Sequence, residues 1–89
     1  MKIVILYHPV SEHSRRVEEY KRDFERSQNS GSIELVSLET REGADMARLY
    51  DIVRYPAVLA ITDHDKVLMK VWQDDKLPLM SEVASYARR

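Results

Sequence analysis

The chain has 89 residues, which predicts a single domain spanning residues 1–89 rather than two domains with separate cores. It contains no cysteine, so disulfide bonds, thiolate metal sites and cysteine-based catalysis are excluded. The formal net charge is -1 with acids and bases interspersed, which predicts neither a nucleic acid partner nor an anionic membrane surface. The apolar run at residues 3–6 is too short for a signal peptide or a membrane span, so we expect a cytoplasmic protein.

The first predicted elements are a strand and a helix. Residues 2–7, "KIVILY", are β-branched and aromatic without polar alternation, as in a central strand buried on both faces. A helix should then begin at Ser11, whose hydroxyl we expect to cap it by accepting a backbone N–H two or three residues on. The helix should end near "SQNSGS", residues 27–32, where Gly31 can adopt a positive φ. Its apolar residues recur at helical spacing: Val17, Tyr20 and Phe24.

A second strand and a second helix follow. Residues 32–38, "SIELVSL", predict a strand parallel to the first, because the intervening helix makes a right-handed β-α-β unit. The next helix is predicted over residues 42–50, with Thr40 as its N-cap. Three of its residues are expected to face inward: Met46, Leu49 and Tyr50.

The second half of the chain favours an antiparallel hairpin and a closing helix. Strands are predicted at residues 56–61 and 67–72, and the short polar turn "TDHDK" between them favours antiparallel pairing. A last helix is predicted within residues 77–89, with Pro78 in its first turn.

These elements predict an α/β fold in the order β-α-β-α-β-β-α. The parallel unit and the hairpin together give a mixed four-stranded sheet with helices on both faces. Short connections favour the strand order 2-1-3-4.

The stretch "ILYHPVSEHSRRVEEY", residues 5–20, resembles the active-site segment of the glutaredoxins. In that family a strand and an aromatic residue precede x-Pro-x, and Cys-x-x-Cys then opens a helix. Ser11 and Ser14 stand at the two cysteine positions, with Glu12 and His13 between them.

Two further stretches extend this resemblance over essentially the whole chain. "LYDIVRYPAVLAI", residues 49–61, is similar to the thioredoxin segment in which a cis-proline begins the third strand, and Pro56 falls on that proline. Asp51 and Ala57 replace residues that are usually Gly and Thr there. Residues 62–83 are similar to the closing hairpin and last helix, so the chain as a whole resembles the thioredoxin-like fold family.

The serines set a limit on what the resemblance implies. A serine hydroxyl stays protonated near neutral pH and forms no disulfide, so thiol–disulfide oxidoreductase activity is excluded. Other enzymatic activity stays open. No cofactor is predicted, and no metal site, because His8 ends a strand and His13 begins a helix and the two need not converge.

The main hypothesis is a redox-inactive thioredoxin-like domain that binds a peptide or protein partner. The resemblance places binding at the N-terminus of the first helix and at the cis-proline loop, where backbone groups can accept an extended peptide as an added strand. The candidate binding residues are Ser11, His13, Ser14, Tyr55, Pro56, Tyr7 and Arg54.

Three alternatives remain open. The chain can bind glutathione or another small thiol in an enzyme-like manner, with Ser11 orienting the ligand. A serine that holds the sulfur of glutathione, as in the glutathione transferases, is a weaker analogy because those enzymes carry a second helical domain. The third alternative is a Cys-to-Ser variant of an active oxidoreductase, altered at positions 11 and 14.

Overall fold

The computed structural model describes residues 1–27, 31–73 and 76–88. Four strands and three helices alternate along the chain in the predicted order. The elements are β1 (Lys2–Tyr7), α1 (Ser14–Ser27), β2 (Ile33–Ser37), α2 (Arg41–Leu49), β3 (Ala57–Ile61), β4 (Leu68–Trp72) and α3 (Met80–Ala87).

The four strands form one mixed sheet in the order β2-β1-β3-β4, which confirms the predicted topology. β1 runs parallel to β2, with Ile3 opposite Ile33. β1 runs antiparallel to β3, with Leu6 opposite Ala57, and β3 pairs antiparallel with β4. β1 and β3 are therefore the two inner strands.

Helices cover both faces of the sheet, as predicted. Ile3 and Ile5 face α1 and α3, whereas Val4 and Leu6 face α2. All four side chains are at most 2% exposed, because β1 is an inner strand with a packed layer on each side. This double burial is the physical reason for the unbroken apolar run in "KIVILY".

Polar atoms of aromatic side chains fix the layer that contains α1 and α3. The Tyr20 hydroxyl donates to the carbonyl oxygen of Pro78 at 2.8 Å, and burial raises the pKa of the Tyr20 phenol well above its ordinary value of 10. The Trp72 indole N–H donates to a Glu82 carboxylate oxygen at 3.0 Å, and its ring meets that of Tyr86 edge to face. Trp72 therefore joins β4 to α3.

The inward face of α2 differs from the prediction. Met46, Ala47 and Tyr50 pack against the core on that side of the sheet, and Gly43 is buried. These positions follow the i, i+3, i+4, i+7 pattern from Gly43, which leaves Leu49 on the outer face. Leu49 is 72% exposed, so the expectation that it faces inward is wrong.

Two prolines lie just outside the elements that they were predicted to begin. β3 starts at Ala57 rather than Pro56, since proline has no N–H to donate to the strand ladder. α3 starts at Met80, and Leu79 occupies the N-cap position with extended backbone angles. Pro78 is therefore outside the first helical turn.

Gly31 has the expected positive φ of 107°. Of the predicted helix ends, residues 28–30 and residue 89 lie outside the described residues. No helix in the described part of the chain has the length and apolar character needed to cross a membrane.

The start of α2 explains why residue 43 is glycine. Thr40 caps the helix as predicted, since its hydroxyl oxygen accepts the Gly43 N–H at 3.1 Å. The Thr40 hydroxyl in turn donates to the Ser37 carbonyl oxygen at 2.7 Å, which places the Gly43 backbone beside the end of β2. A β-carbon there would overlap the Ser37 carbonyl oxygen and would lie only 2.8 Å from the Ser37 carbonyl carbon.

Replacing Gly43 with alanine should therefore lower the free energy of unfolding by about 1–3 kcal/mol, the usual cost of overpacking. The sign is informative, because alanine in an ordinary helix position stabilises by about 1 kcal/mol relative to glycine. Urea unfolding followed by circular dichroism measures the change.

The matched control is Asp45→Ala, at an exposed position of the same helix. Asp45 lies 3.8 Å from Arg48 in an exposed ion pair, so its loss should change stability by less than about 0.5 kcal/mol. An unchanged or increased stability of Gly43→Ala would contradict the close approach of α2 to β2.

Candidate functional site

Two connecting segments meet at one end of the sheet. The β1–α1 turn, residues 8–13, follows β1, and the pre-β3 segment, residues 51–56, leads from α2 into β3. β1 and β3 are antiparallel neighbours, so the end of one lies beside the start of the other. The rings of His8 and Tyr55 meet there edge to face, with centroids 5.2 Å apart.

Hydrogen bonds within the β1–α1 turn show that Ser11 is not the helix cap. Its backbone N–H and its hydroxyl both donate to the His8 carbonyl oxygen, at 3.2 and 2.6 Å. α1 begins at Ser14, and the first helical bond runs from the Val17 N–H to the His13 carbonyl. The predicted cap at Ser11 is wrong, because the hydroxyl closes the turn instead of accepting an N–H of the helix.

The two histidines of this turn converge, which their positions in the sequence did not require. The backbone N–H of His8 donates to Nε2 of His13 at 3.1 Å, and the ring centroids lie 6.1 Å apart. Burial, followed by the proximity of His8 and Arg16, lowers the pKa of His13 below its ordinary value of 6.5. His13 is therefore neutral at pH 7, and with Nε2 as acceptor its ring proton is assigned to Nδ1.

The pre-β3 segment is held from both sides. The side-chain oxygen of Gln73 accepts the N–H groups of Val53 and Arg54, at 3.0 and 3.3 Å. The Tyr55 hydroxyl donates to the Ile52 carbonyl at 2.8 Å, and burial raises the pKa of Tyr55. Gln73 follows β4 directly, so the segment is fixed to the sheet through a neighbouring strand end.

The remaining predicted site residues divide between the surface and the core. Pro56 is buried, and its peptide bond with Tyr55 is cis. Arg54 is exposed beside it. Tyr7 packs against the core between the sheet and α1, and its carbonyl accepts the Leu38 N–H at 3.0 Å.

Each of the two segments carries one strongly exposed apolar side chain. Val10 in the turn is 85% exposed and Val53 in the pre-β3 segment is 72% exposed. In the pre-β3 segment, the main chain of Tyr55 takes part in no hydrogen bond among the described residues. We call residues 8–13 and 53–56 the two-segment surface.

This arrangement offers binding groups rather than a reactive pair. In the described part of the chain, Ser11 donates to a carbonyl and His13 accepts from an amide, so neither activates the other. The same residues contain no cluster of three or more histidine, aspartate or glutamate side chains that could hold a metal ion.

Two sizeable clefts lie at the other end of β1, away from the two-segment surface. Their volumes are about 720 and 500 Å³. Both are lined by Lys2, Glu34 and Asp63, and neither reaches the candidate residues.

The sequence identified part of this surface and missed part of it. Ser11, His13 and Ser14 lie on or directly after the turn, and Arg54, Tyr55 and Pro56 lie in the pre-β3 segment. His8, Val10, Val53 and Gln73 were not predicted. One of them had a detectable signal: Val10 is the one aliphatic residue of the β1–α1 turn, whereas Val53 follows Ile52 and does not stand out.

Replacing Ser11 with alanine should lower the free energy of unfolding by about 0.5–1.5 kcal/mol, the usual net contribution of one hydrogen bond. Ser14→Ala is the matched control, because no hydrogen bond of the Ser14 hydroxyl occurs among the described residues. Urea unfolding of both variants gives the comparison. A larger loss for Ser14→Ala would contradict the assignment of the hydroxyl bond in this turn.

No protein-family model, curated protein or solved structure matches this chain. What its surface can bind is therefore inferred from its own groups: exposed valines, an open main-chain segment and a turn fixed by His8.

Proposed function

We propose that this chain is a redox-inactive domain of the thioredoxin-like fold that binds an extended segment of a partner protein on the two-segment surface. One observation carries the proposal: Val10 and Val53 are strongly exposed on two segments that touch each other. Exposed apolar side chains on neighbouring segments are typical of protein interaction sites.

The main chain of Tyr55 offers hydrogen-bonding groups to such a segment. Extended peptides bind by adding main-chain hydrogen bonds to a strand-like segment, while side chains on either side give specificity. Tyr55 has an unused main chain directly before β3, and Val10 and Val53 are the apolar residues of the surface. A peptide that pairs with Tyr55 can place an apolar side chain against the valines.

The family assignment within this proposal has two supports. The order of elements and the sheet order 2-1-3-4 suit the thioredoxin-like fold. Pro56 lies directly before β3 and Ser11 lies in the turn before α1, each within three residues of the place that the resemblance gives it. The absence of cysteine leaves such a domain without thiol–disulfide exchange.

The hydroxyl geometry favours a peptide over glutathione. To hold the sulfur of a small thiol, the Ser11 hydroxyl would have to give up its 2.6 Å bond to the His8 carbonyl. That carbonyl would keep one donor, the Ser11 N–H, at the longer distance of 3.2 Å. Peptide binding through Tyr55 leaves the turn intact.

The probe is a phage-displayed library of short random peptides, selected against the protein and then synthesised. Titration of ¹⁵N-labelled protein should move amide signals of residues 10–13 and 53–55. Val10→Ser and Val53→Ser should each weaken binding by about tenfold, because burying one valine side chain contributes about 1.5 kcal/mol.

Val67→Ser is the matched control, because Val67 is 50% exposed in the turn between β3 and β4, at the other end of the sheet. It should bind the selected peptides like the wild type. Signals that move only outside the two-segment surface, or an equal loss in Val67→Ser, would refute the proposed site. Saturable shifts at Ser11 with millimolar reduced glutathione would favour the small-thiol alternative instead.

A further inference from the structure

The shape of the β1–α1 turn depends on a hydrogen bond whose acceptor is the lone pair on Nε2 of His13. The N–H of His8 donates to Nε2 of His13 at 3.1 Å, across a turn that the His8 carbonyl also closes by accepting from Ser11. The His8 ring in turn packs edge to face on Tyr55. His13 is thus linked through His8 to the pre-β3 segment.

We propose that the His8–His13 contact makes the two-segment surface sensitive to protons. The surface keeps its shape while Nε2 of His13 carries no proton. Protonation at that atom releases the His8 N–H and loosens the contact between His8 and Tyr55. The binding consequence rests on the proposed function, whereas the structural change takes place in the free protein.

The chemistry of the contact gives the reason. A protonated Nε2 is itself a donor, so it cannot accept the His8 amide, and two N–H groups that face each other at 3.1 Å repel. Imidazole is the side chain whose ordinary pKa lies nearest to neutral pH. The turn has no second acceptor for the His8 N–H among its described hydrogen bonds.

The charged and titratable groups around His13 come from every adjoining element. His8 at the end of β1 and Arg16 in the first turn of α1 both disfavour a positive charge on His13. Tyr55, whose raised pKa keeps its phenol neutral, faces His8 from the pre-β3 segment. Glu12, beside His13 in the turn, is exposed and forms no ion pair with it among the described residues.

The direction of the pH effect follows from the lowered pKa. Below pH 6.5 the unfolded chain takes up a proton at His13 before the folded chain does, so folding loses stability as the pH falls. The loss begins near the ordinary value of 6.5 and is complete below the lower pKa of the folded state. Above pH 6.5 this contribution to stability is fully present.

The experiment is an NMR titration of the free protein from about pH 8 to about pH 5, the range over which histidines change charge. The His8 amide proton should move upfield as its hydrogen bond is lost, and the Tyr55 ring signals should change with the same midpoint, below 6.5. Imidazole nitrogen shifts of His13 should show Nε2 unprotonated at the start and protonated at the end.

Two variants make the test specific. The side-chain oxygen of His13→Gln can accept the His8 N–H but does not titrate, so this variant should keep the neutral-pH spectrum and lose the transition. His64→Gln, altered in the turn between β3 and β4, should keep the transition. A His8 amide that does not respond to pH in the wild type, or a transition that survives in His13→Gln, would overturn the inference.

The peptides selected above complete the test. Their dissociation constants should rise by up to about tenfold between the two ends of the titration, the equivalent of one hydrogen bond, and stay constant for His13→Gln. Peptides that bind the wild type equally at both pH values overturn the inference but leave the proposed function intact. If the free protein shows the pH transition but binds no peptide, the inference about the turn stands and the proposed function is refuted.

Discussion

Leu6 at the end of β1 lies opposite Ala57 at the start of β3, and this antiparallel register determines which residues meet at the end of the sheet. Both strands are inner strands with buried side chains on each face, so their register cannot slip without exposing the core. The β1–α1 turn, which follows β1, and the pre-β3 segment, which precedes β3, are therefore neighbours. His8 and Tyr55, far apart in sequence, are brought into contact by this pairing.

Residue 8 then organises the turn with its main chain. Its carbonyl accepts the N–H and the hydroxyl of Ser11, and its N–H donates to His13. Ser11 and His13 are thus used to shape the backbone, which explains why Ser-x-x-Ser forms neither a helix cap nor a reactive pair. The groups left for a ligand are those that the turn does not need: the Val10 side chain, and across the contact Val53 and the Tyr55 main chain.

Features that depend on local pattern or on burial could be predicted from the sequence. The unbroken apolar run of β1 indicated an inner strand, and Thr40 just before the second helical pattern indicated a cap. Features that depend on a specific approach between elements could not. The requirement for glycine at position 43 comes from the nearby Ser37 carbonyl. Because Gly43 faces inward, the helical spacing leaves Leu49 on the outer face.

The same division applies to the candidate site, where local features could be predicted and specific contacts between segments could not. The family resemblance grouped Ser11 and Tyr55 in one candidate site, but the bond between His8 and His13 crosses a turn that no periodic pattern describes. Because of that bond, two properties of the two-segment surface differ in their dependence on charge. The exposure of Val10 and Val53 does not depend on any charge, whereas the spacing of the segments that carry them depends on the His8–Tyr55 contact. In a chain without cysteine, a proton on His13 is the chemical change that reaches this spacing most directly.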